Sequence, residues 1–326
     1  MQDRSSEAAV ILDAAAVDAL LPELDVLAEL RALFTALGQG KAVQPVQSVT
    51  EFPGKGGDFI TYLGAIEAAA VFGAKLSPYI VTGGLPIITA WTALMSMSTG
   101  QPLVWCDAGR LTTERTAGTT ALAVDHLAHN EAGILAIIGS GPVAQAHLRH
   151  VLGLRGWKKI NVYSPALVAD QAKQALWRAM SCSVEIAPDA KSAIHGADVV
   201  MLCTSSGTPV INPSDIGKPA LVTSISTNAP GAHEVPPGFL TMADVYCDYQ
   251  KTTPTAAAEM CLAVGDHGWS VDDIKGDLAT LCGGEAQQPT YDRHVYFRSV
   301  GLGLEDIAMA HGIWKLWRAK RDCADG

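Results

Sequence analysis

Residues 134–152 constrain the fold more than any other stretch of the chain. The stretch begins with five apolar residues, Ile134–Ile138, which have the length and character of one buried parallel strand. A segment rich in small residues follows, Gly139-Ser140-Gly141-Pro142-Val143-Ala144, and after it apolar residues recur at helical spacing. The order strand, glycine turn and helix is typical of an α/β sheet in which helices connect parallel strands.

The small residues of this turn match the mechanics of a dinucleotide-binding fingerprint. Gly139 permits the tight turn, Gly141 lets the backbone approach a pyrophosphate, and Ala144 lets the helix pack close to the strand. A proline suits the first helical turn, where no N–H is needed, and the positive helix end would face the phosphates. We therefore predict a nucleotide site, with an ordinary strand-to-helix turn as the alternative. Its predicted residues are Gly139, Ser140, Gly141, Pro142 and Val143.

Strand and helix patterns define two kinds of region. They alternate after the glycine turn, which predicts a Rossmann doubly wound parallel sheet. The part before the turn has a helical pattern over 20–37 that ends at Gly38, and a hairpin pattern over 45–63. The apolar spacing of the last helix, 304–317, suits packing on this first part. We predict an α/β protein: residues 1–119 and 304–326 form an α+β substrate-binding and dimerisation domain, and 120–303 form the Rossmann dinucleotide-binding domain.

Polar residues follow two later strands of the predicted parallel sheet. Ligands of such sheets bind beyond the carboxyl ends of the strands, at the point where the strand order reverses. This rule places Thr204 and Ser205, after one strand, and Thr227 and Asn228, after the next, near a bound nucleotide.

The second strand of the predicted sheet bears on the choice between the two nicotinamide cofactors. It ends in Val162-Tyr163-Ser164-Pro165, without the acid that would receive the ribose hydroxyls of NAD. Ser164 can donate a hydrogen bond to a ribose phosphate, which a carboxylate would repel. We therefore predict NADP as cofactor, with NAD as the alternative. Lys173 is a more distant candidate for the phosphate, and its alternative is a solvated helix lysine.

Composition excludes several classes of partner. The chain of 326 residues has 33 acidic and 23 basic residues, a formal charge of 23 − 33 = −10, which argues against nucleic acid and anionic membranes. The seven cysteines are scattered without a C-x-x-C pair, and no signal peptide, membrane span or metal-ligand spacing is visible. We expect a cytoplasmic protein with reduced thiols and without a bound metal.

Three polar residues are candidates for catalysis. Lys75 lies in an apolar strand, where burial would lower its pKa and suit it to proton transfer, unless it is a lysine on an edge strand. Arg115, at a helix start, offers a planar fork that matches a carboxylate, or it forms a salt bridge with Glu114 or Asp107. Asn228 follows a parallel strand and is either a site residue or a turn asparagine that bonds its own backbone.

These segments together resemble the ornithine cyclodeaminase/μ-crystallin family over almost the whole chain. The matching motifs are Gly73-Ala74-Lys75-Leu76, residues 111–123, the glycine turn, Thr227-Asn228-Ala229-Pro230-Gly231, and Phe297-Arg298-Ser299-Val300-Gly301 with Glu305-Asp306. The resemblance implies a homodimer. It also implies that Lys75 and Arg115 hold the carboxylate of an amino-acid substrate, with Lys75 also near the reacting nitrogen. Thr227 and Asn228 would hold the nicotinamide, and Ser299 and Val300 would also contact the cofactor.

Two departures from the family pattern favour its dehydrogenase branch. Asn228 stands where cyclodeaminases have an aspartate, and an amide cannot act as the base of ring closure. Gln47 stands where the family often has an arginine, and it would make a weaker contact with the substrate carboxylate. Residues 82–115 and 224–237 are similar to bacterial NAD(P)-dependent L-arginine dehydrogenases.

The predicted activity is oxidation of the Cα–N bond of an L-amino acid to a 2-oxo acid and ammonia. The resemblance favours L-arginine or another basic amino acid, and Asp58, with Glu51, is the candidate acid for a cationic side chain; the alternative for both is a solvated turn acid. Two other functions stay open. One is a cyclodeaminase or cyclic-imine (ketimine) reductase, and the other is an NADP-dependent ligand-binding protein without turnover.

Overall fold

The computed structural model describes residues 8–226 and 231–324. The chain divides into two compact units, of which unit 1 comprises Met1–Arg115 and Leu302–Gly326, and unit 2 comprises Thr116–Gly301. Within the described ranges, the helices are all too short or too polar to cross a membrane.

Unit 1 is built on a mixed sheet of eight strands in the order β1-β8-β7-β5-β4-β2, with β3 paired to β4 and β6 paired to β5. Strands β1 and β8 run parallel, and the other neighbours are antiparallel. The strands are β1 (Val10–Leu12), β2 (Ala42–Val43), β3 (Ser48–Glu51), β4 (Gly57–Ile66), β5 (Val71–Ile80), β6 (Ile87–Ile88), β7 (Trp91–Ser96) and β8 (Pro102–Asp107). The helices are Ala14–Leu20, Val26–Gly38, the first turns of Gly109–Leu127, and Gly303–Ala324.

The predicted hairpin is confirmed, because β3 and β4 pair antiparallel with Glu51 opposite Asp58. The helix predicted over 20–37 is wrong in its bounds. The first helix ends at Leu20, a short 3-10 turn with Pro22 follows, and a second helix begins at Val26. The side chain of Asp25 accepts a hydrogen bond from the Ala28 N–H and so caps the second helix, a signal that its apolar periodicity hides.

The helix Gly303–Ala324 packs on strands β4 and β5 of the unit 1 sheet. A Cβ atom at Gly303 would lie 2.3 Å from the carbonyl oxygen of Leu63, so only glycine permits this close approach. The first turn of the helix carries two acidic residues, Glu305 and Asp306. The packing therefore places two carboxylates against one face of the sheet.

Unit 2 is built on a sheet of eight parallel strands, which confirms the predicted doubly wound α/β fold. The strand order is β11-β10-β9-β12-β13-β16-β14-β15. The strands are β9 (Ile134–Ile138), β10 (Lys159–Tyr163), β11 (Val184–Ile186), β12 (Val199–Leu202), β13 (Leu221–Ser224), β14 (Ala243–Cys247), β15 (Ile274–Asp277) and β16 (His294–Arg298). Its helices are Pro142–Val151, Pro165–Val168, Gln171–Met180, Ala190–Ile194, Thr253–Ala256, Ala258–Asp266 and Leu278–Gly283, besides the last turns of Gly109–Leu127.

The strand order of unit 2 reverses beside β9. From β9 the chain proceeds outward to β10 and β11, and it then returns to β12 on the other side of β9. Connections leave a parallel sheet in opposite directions at such a point, which opens a crevice at the carboxyl ends of the two strands. The residues that follow β9 and β12 therefore line the crevice of this unit.

Candidate cofactor and substrate sites

The glycine turn follows β9 in a conformation that requires glycine. Gly139 has a φ of 121°, and its N–H donates to the carbonyl oxygen of Tyr163 at 2.8 Å. A Cβ atom at this position would lie 2.3 Å from the carbonyl oxygen of Cys203, which follows β12. The turn thus lies against the neighbouring strand at the switch point, as the fingerprint predicts.

The helix after this turn has an open N-terminus. It begins at Pro142, and no side chain accepts a hydrogen bond at its N-cap residue, Gly141. By contrast, aspartates cap the helices that begin at Ala14, Val26 and Ala190. A Cβ atom at Gly141 would meet no atom within 4 Å. Uncapped N–H groups beside open space fit a pyrophosphate, and Gly139, Ser140, Gly141 and the helix N-terminus are the residues that would hold it.

Ser140 and Ser164 form a hydroxyl pair beside the glycine turn. Their Oγ atoms lie 2.6 Å apart, and Ser164 Oγ also accepts a hydrogen bond from the Leu167 N–H at 3.0 Å. Because the pair shares one of its two hydroxyl protons, the other proton can be donated to a ligand. Lys173 is half-exposed and lies 3.6 Å from a carboxylate oxygen of Asp170, in keeping with a solvated helix lysine.

Two buried carboxylates hold three of the other residues predicted to contact the cofactor: Thr204, Ser299 and Val300. Thr204 donates from its N–H and its hydroxyl to Glu234 Oε1, at 2.8 and 2.7 Å. Asp248 Oδ2 accepts from the Ser299 hydroxyl at 3.1 Å and from the Val300 N–H at 2.7 Å. The predicted residue Ser205, which comes directly after Thr204 in the loop that follows β12, is exposed. The predicted residues Thr227 and Asn228 lie outside the described residues.

Sequence reasoning missed both Glu234 and Asp248 as site residues. Asp248 directly follows the apolar strand β14, so its position at the carboxyl end of a parallel strand was a usable signal. Glu234 does not directly follow a strand. Only its hydrogen bonds in the folded structure show that it contacts the loops after β12 and β13.

Lys75 lies on the face of β5 that packs against the C-terminal helix, and it is 1% exposed. Its Nζ atom lies 2.8 Å from Asp306 Oδ2 and 4.1 Å from the ring centroid of Tyr62. The alternative of an edge-strand lysine is wrong, because β5 pairs with β4 on one side and with β7 on the other. Lys75 is therefore a buried ammonium with one carboxylate partner.

Arg115 lies beside Lys75 and is bound by two acids. Its Nε donates to Asp306 Oδ1 at 3.2 Å, and its Nη1 donates to Glu305 Oε2 at 3.0 Å. These acids, rather than the neighbours considered from local spacing, bind its guanidinium, and they lie about 190 positions later in the chain. Asp306 bridges both cations, and the formal charges of the two bases and two acids cancel.

The pKa values of the two bases are shifted in opposite directions. Burial lowers the pKa of Lys75 to about 8, although Asp306 opposes this effect and Arg115 adds to it. Burial alone would lower the pKa of Arg115 too, but Asp306 and Glu305 together raise it above its ordinary value. Arg115 is thus always a cation at neutral pH. The pKa of Lys75, by contrast, is close to neutral pH, so Lys75 can gain or lose a proton there.

The two other predicted substrate residues lie outside this cluster. Asp58 is on β4, on the same face as Tyr62 but four residues away, a distance of about 13 Å along the strand. Gln47 is half-buried in the segment before β3. The structure thus brings Lys75 and Arg115 together and records no hydrogen bond from Gln47 or Asp58 to either of them among the described residues.

Comparisons with known proteins identify the family of this chain. Residues 7–321 match the ornithine cyclodeaminase/mu-crystallin family. An NAD(P)H-dependent anabolic L-arginine dehydrogenase of Pseudomonas aeruginosa is 52% identical over 97% of this chain and 99% of its own length. A probable ornithine cyclodeaminase from Bordetella pertussis has a similar structure, with a TM-score of 0.86, 28% identity and coverage of 97% and 99% of the two chains.

A more distant solved structure shares the fold alone. It is the Delta(1)-pyrroline-2-carboxylate reductase of Thermococcus litoralis in complex with NADH and L-proline, with a TM-score of 0.86 at 20% identity. It covers 95% of this chain and 98% of its own. From the family match and the 52% identical relative, the chain belongs to the ornithine cyclodeaminase/mu-crystallin family.

Proposed function

We propose that this chain is an NAD(P)-dependent L-amino-acid dehydrogenase that acts on L-arginine or another basic amino acid. The similarity to an L-arginine dehydrogenase over nearly the full length of both chains carries this proposal. Two further features support it: the open helix N-terminus after the glycine turn and the buried pair Lys75 and Arg115. All seven cysteines are free thiols, so we place the activity in the reducing cytoplasm.

The proposed reaction converts the amino acid, water and the oxidised cofactor into a 2-oxo acid, ammonium, the reduced cofactor and one proton. The nicotinamide, when bound, supplies the acceptor for the hydride that leaves Cα. The Cα–N single bond becomes an imine, which water then hydrolyses. The protein has to bind the carboxylate, remove protons from the nitrogen and hold the Cα–H bond in line with the cofactor.

Arg115 is suited to bind the substrate carboxylate. Its Nε and Nη1 atoms are used by Asp306 and Glu305, and no acceptor for Nη2 is recorded among the described residues. Nη2 can therefore donate to an incoming carboxylate. Because the two acids bind Nε and Nη1, a substrate carboxylate at Nη2 is not required to displace either of them.

Lys75 is suited to move a proton at the substrate nitrogen. An amine must lose its proton before its nitrogen can form the imine, and a base with a pKa near the working pH does this most efficiently. The pKa of about 8 puts Lys75 in that range. Its neutral form accepts the proton, and Asp306, at 2.8 Å, then stabilises the resulting ammonium.

We propose NADP as the preferred form of the cofactor. Ser164 and Ser140 can donate a hydroxyl proton to a ribose phosphate, and neither brings the negative charge that would exclude it. The test is a direct comparison of turnover with NADP and NAD at equal concentrations. Preference for NAD would refute the role of this serine pair.

A spectrophotometric screen tests the proposed activity. The purified chain is mixed with L-arginine, L-lysine, L-ornithine or L-alanine and either cofactor, and both the absorbance of the reduced nicotinamide and the released ammonia are measured. A dehydrogenase gives both in equal amounts, with the highest rate for a basic substrate. Ammonia without reduced nicotinamide would indicate a cyclodeaminase, and cofactor binding without either product would indicate a ligand-binding protein.

The 28% identical structure of a probable ornithine cyclodeaminase favours ring closure as the second candidate function. The amide of Asn228 speaks against it, because cyclodeaminases have an acid there. Asn228→Asp is therefore a direct test within the same screen. If ammonia release without net reduction appears only in the variant, then the natural asparagine excludes the cyclodeaminase activity.

We also propose that the chain is a homodimer that pairs through the open face of the unit 1 sheet. Exposed apolar side chains are concentrated in this unit, and Leu63, Phe72, Leu76 and Ile80 share the face of β4 and β5 that is opposite to Tyr62 and Lys75. An apolar surface of this kind marks an interface in soluble proteins. Leu76→Asp should give a monomer in light scattering, whereas Leu262→Asp, an equally exposed leucine on unit 2, should not. If the Leu76→Asp variant remains a dimer, this interface is refuted.

A further inference from the structure

Glu234 is a fully buried carboxylate that receives four hydrogen bonds in unit 2. Its Oε1 atom accepts from the N–H and the hydroxyl of Thr204, at 2.8 and 2.7 Å. Its Oε2 atom accepts from the hydroxyl of Ser224 at 2.7 Å and from the N–H of Ser226 at 2.8 Å. Each oxygen thus receives one backbone N–H and one hydroxyl.

These donors belong to two neighbouring parallel strands. Thr204 is the second residue after β12, whereas Ser224 is the last residue of β13 and Ser226 follows it. Ser226 has a φ of 44°, a left-handed conformation that is uncommon for serine, and its N–H is held by Glu234. The carboxylate therefore ties together the carboxyl ends of both strands beside the switch point.

Glu234 forms no salt bridge within the described residues. The guanidinium of Arg298 acts on Glu234 electrostatically, but its ion pair, at 2.8 Å, is with Glu259. A buried carboxylate is costly unless its hydrogen bonds are complete, so the four neutral donors are what keep this charge in place.

An amide cannot replace this carboxylate. A glutamine at position 234 has one acceptor oxygen and one NH₂ group, and each side of the site presents a backbone N–H that cannot be reversed. In either orientation the NH₂ group faces the N–H of Thr204 or of Ser226. Glu234→Gln keeps nearly the same shape, but it loses the hydrogen bond from one of these two N–H groups.

The two loops lie on the side of the sheet where the nicotinamide half of the cofactor is expected. In the proposed function, Ser164 after β10 faces the adenosine ribose, and the glycine turn after β9 faces the pyrophosphate. A cofactor that extends across the sheet in this order continues past β12 and β13. The loops after these strands are the ones that Glu234 joins.

We propose that Glu234 is a positioning residue for the nicotinamide half of the cofactor. It sets the separation and the backbone conformation of the loops at 204–206 and 224–226, and it leaves the adenosine half unaffected. This inference rests on the proposed cofactor site. It predicts that Glu234 affects binding of the whole dinucleotide more than binding of its adenosine fragment.

Asp198 offers a matched control at the opposite edge of the same sheet. Its Oδ2 atom accepts from the N–H groups of Gly133 and Ile134, each at 2.8 Å, at the start of β9, and its Oδ1 atom is ion-paired with Lys218. Asp198→Asn also changes a partly buried carboxylate to an amide, but the one amide oxygen can still accept from both N–H groups, so this variant controls for the loss of a carboxylate charge in the same sheet. It lies at the amino ends of the strands, away from the switch point.

The experiment measures binding by calorimetry, with the oxidised cofactor and with its adenosine fragment, ADP or adenosine 2′,5′-bisphosphate. In E234Q, affinity for the fragment should stay within about twofold, while affinity for the whole cofactor should fall about tenfold or more, the effect of one hydrogen bond to a charged group. In D198N the ratio of the two affinities should not change, even if the melting temperature falls. An unchanged ratio in E234Q, or an equal change in D198N, would overturn the inference.

Ser224→Ala keeps the test decisive if E234Q does not fold. This variant preserves the charge of Glu234 and removes one of its four donors. Ser224→Ala should lower the affinity for the whole cofactor, relative to that for the adenosine fragment, by about threefold. An unchanged ratio of these two affinities would refute the inference. If the natural chain binds neither the cofactor nor the fragment, the proposed function fails first, and this result is distinct from an unchanged ratio.

Discussion

Asp306→Asn tests whether the acid that bridges both cations controls the proton on Lys75. In the structure, Asp306 Oδ2 lies 2.8 Å from Lys75 Nζ, and both side chains are 1% exposed. At an effective dielectric constant of about 20, two unit charges at this distance attract each other by about 6 kcal/mol. This figure is an upper bound, since a nearby opposite charge usually moves a pKa by about 1–3 pH units.

The direction of the change follows from the charge that is removed. Asp306 stabilises the protonated amine, so an asparagine there lowers the pKa of Lys75 further below its value of about 8. If neutral Lys75 is the base, kcat/KM for amino-acid oxidation rises with pH through that pKa. The rising limb should therefore move to lower pH by about 1–3 pH units in the variant.

The assay is the pH profile of kcat/KM with L-arginine, with thermal melting of each variant as the check on folding. Glu305→Gln is the matched control, because Glu305 is a negatively charged member of the same cluster but binds Arg115 rather than Lys75. In this control variant the rising limb of the kcat/KM profile should also move to lower pH, but by a smaller amount. A limb that does not move in Asp306→Asn, or that moves equally in both variants, would refute Lys75 as the titrating base.

Three further predictions concern the two sites. Gly139→Ala should abolish cofactor binding and lower the stability by about 1–3 kcal/mol, because its Cβ atom meets Cys203 at a φ of 121°, whereas Gly141→Ala should weaken binding at an unchanged melting temperature; equal effects would contradict the role of the turn. Ser164→Asp keeps an acceptor for the helix cap but adds a charge, so the ratio of kcat/KM values should swing from NADP towards NAD, and a constant ratio would show that the phosphate binds elsewhere. Lys75→Ala should eliminate turnover while calorimetry still detects cofactor binding, and residual turnover near that of the natural chain would remove Lys75 from the mechanism.

The fold and the cofactor half of the site were largely predictable from the sequence. The strand before Gly139, the turn and the helix after it are contiguous, so their order along the chain already encodes their arrangement in space. Asn228 and Thr227 were assigned by the same rule, and their assignment stays a prediction. Local patterns missed the Asp25 helix cap, because a single capping residue leaves the apolar period almost unchanged.

The substrate half was predictable in its residue types but not in its partners. Lys75 was conspicuous as a charge in an apolar strand, and Arg115 as an arginine at a helix start. Neither position reveals that Asp306 lies 2.8 Å from the first and 3.2 Å from the second. The acids follow the last strand of the other unit in sequence, and no periodicity links them to the bases.

The sequence by itself determined the parallel sheet, the glycine turn and the two cations, since each depends on residues that are neighbours in the chain. Only the tertiary structure decided which acids neutralise those cations and which carboxylate, Glu234, joins the loops after β12 and β13. The physical reason is that a buried charge is tolerated only where partners from distant segments complete its hydrogen bonds. Such partners are selected by packing, as at Gly303, where the absence of a side chain lets the C-terminal helix bring its acids to Lys75.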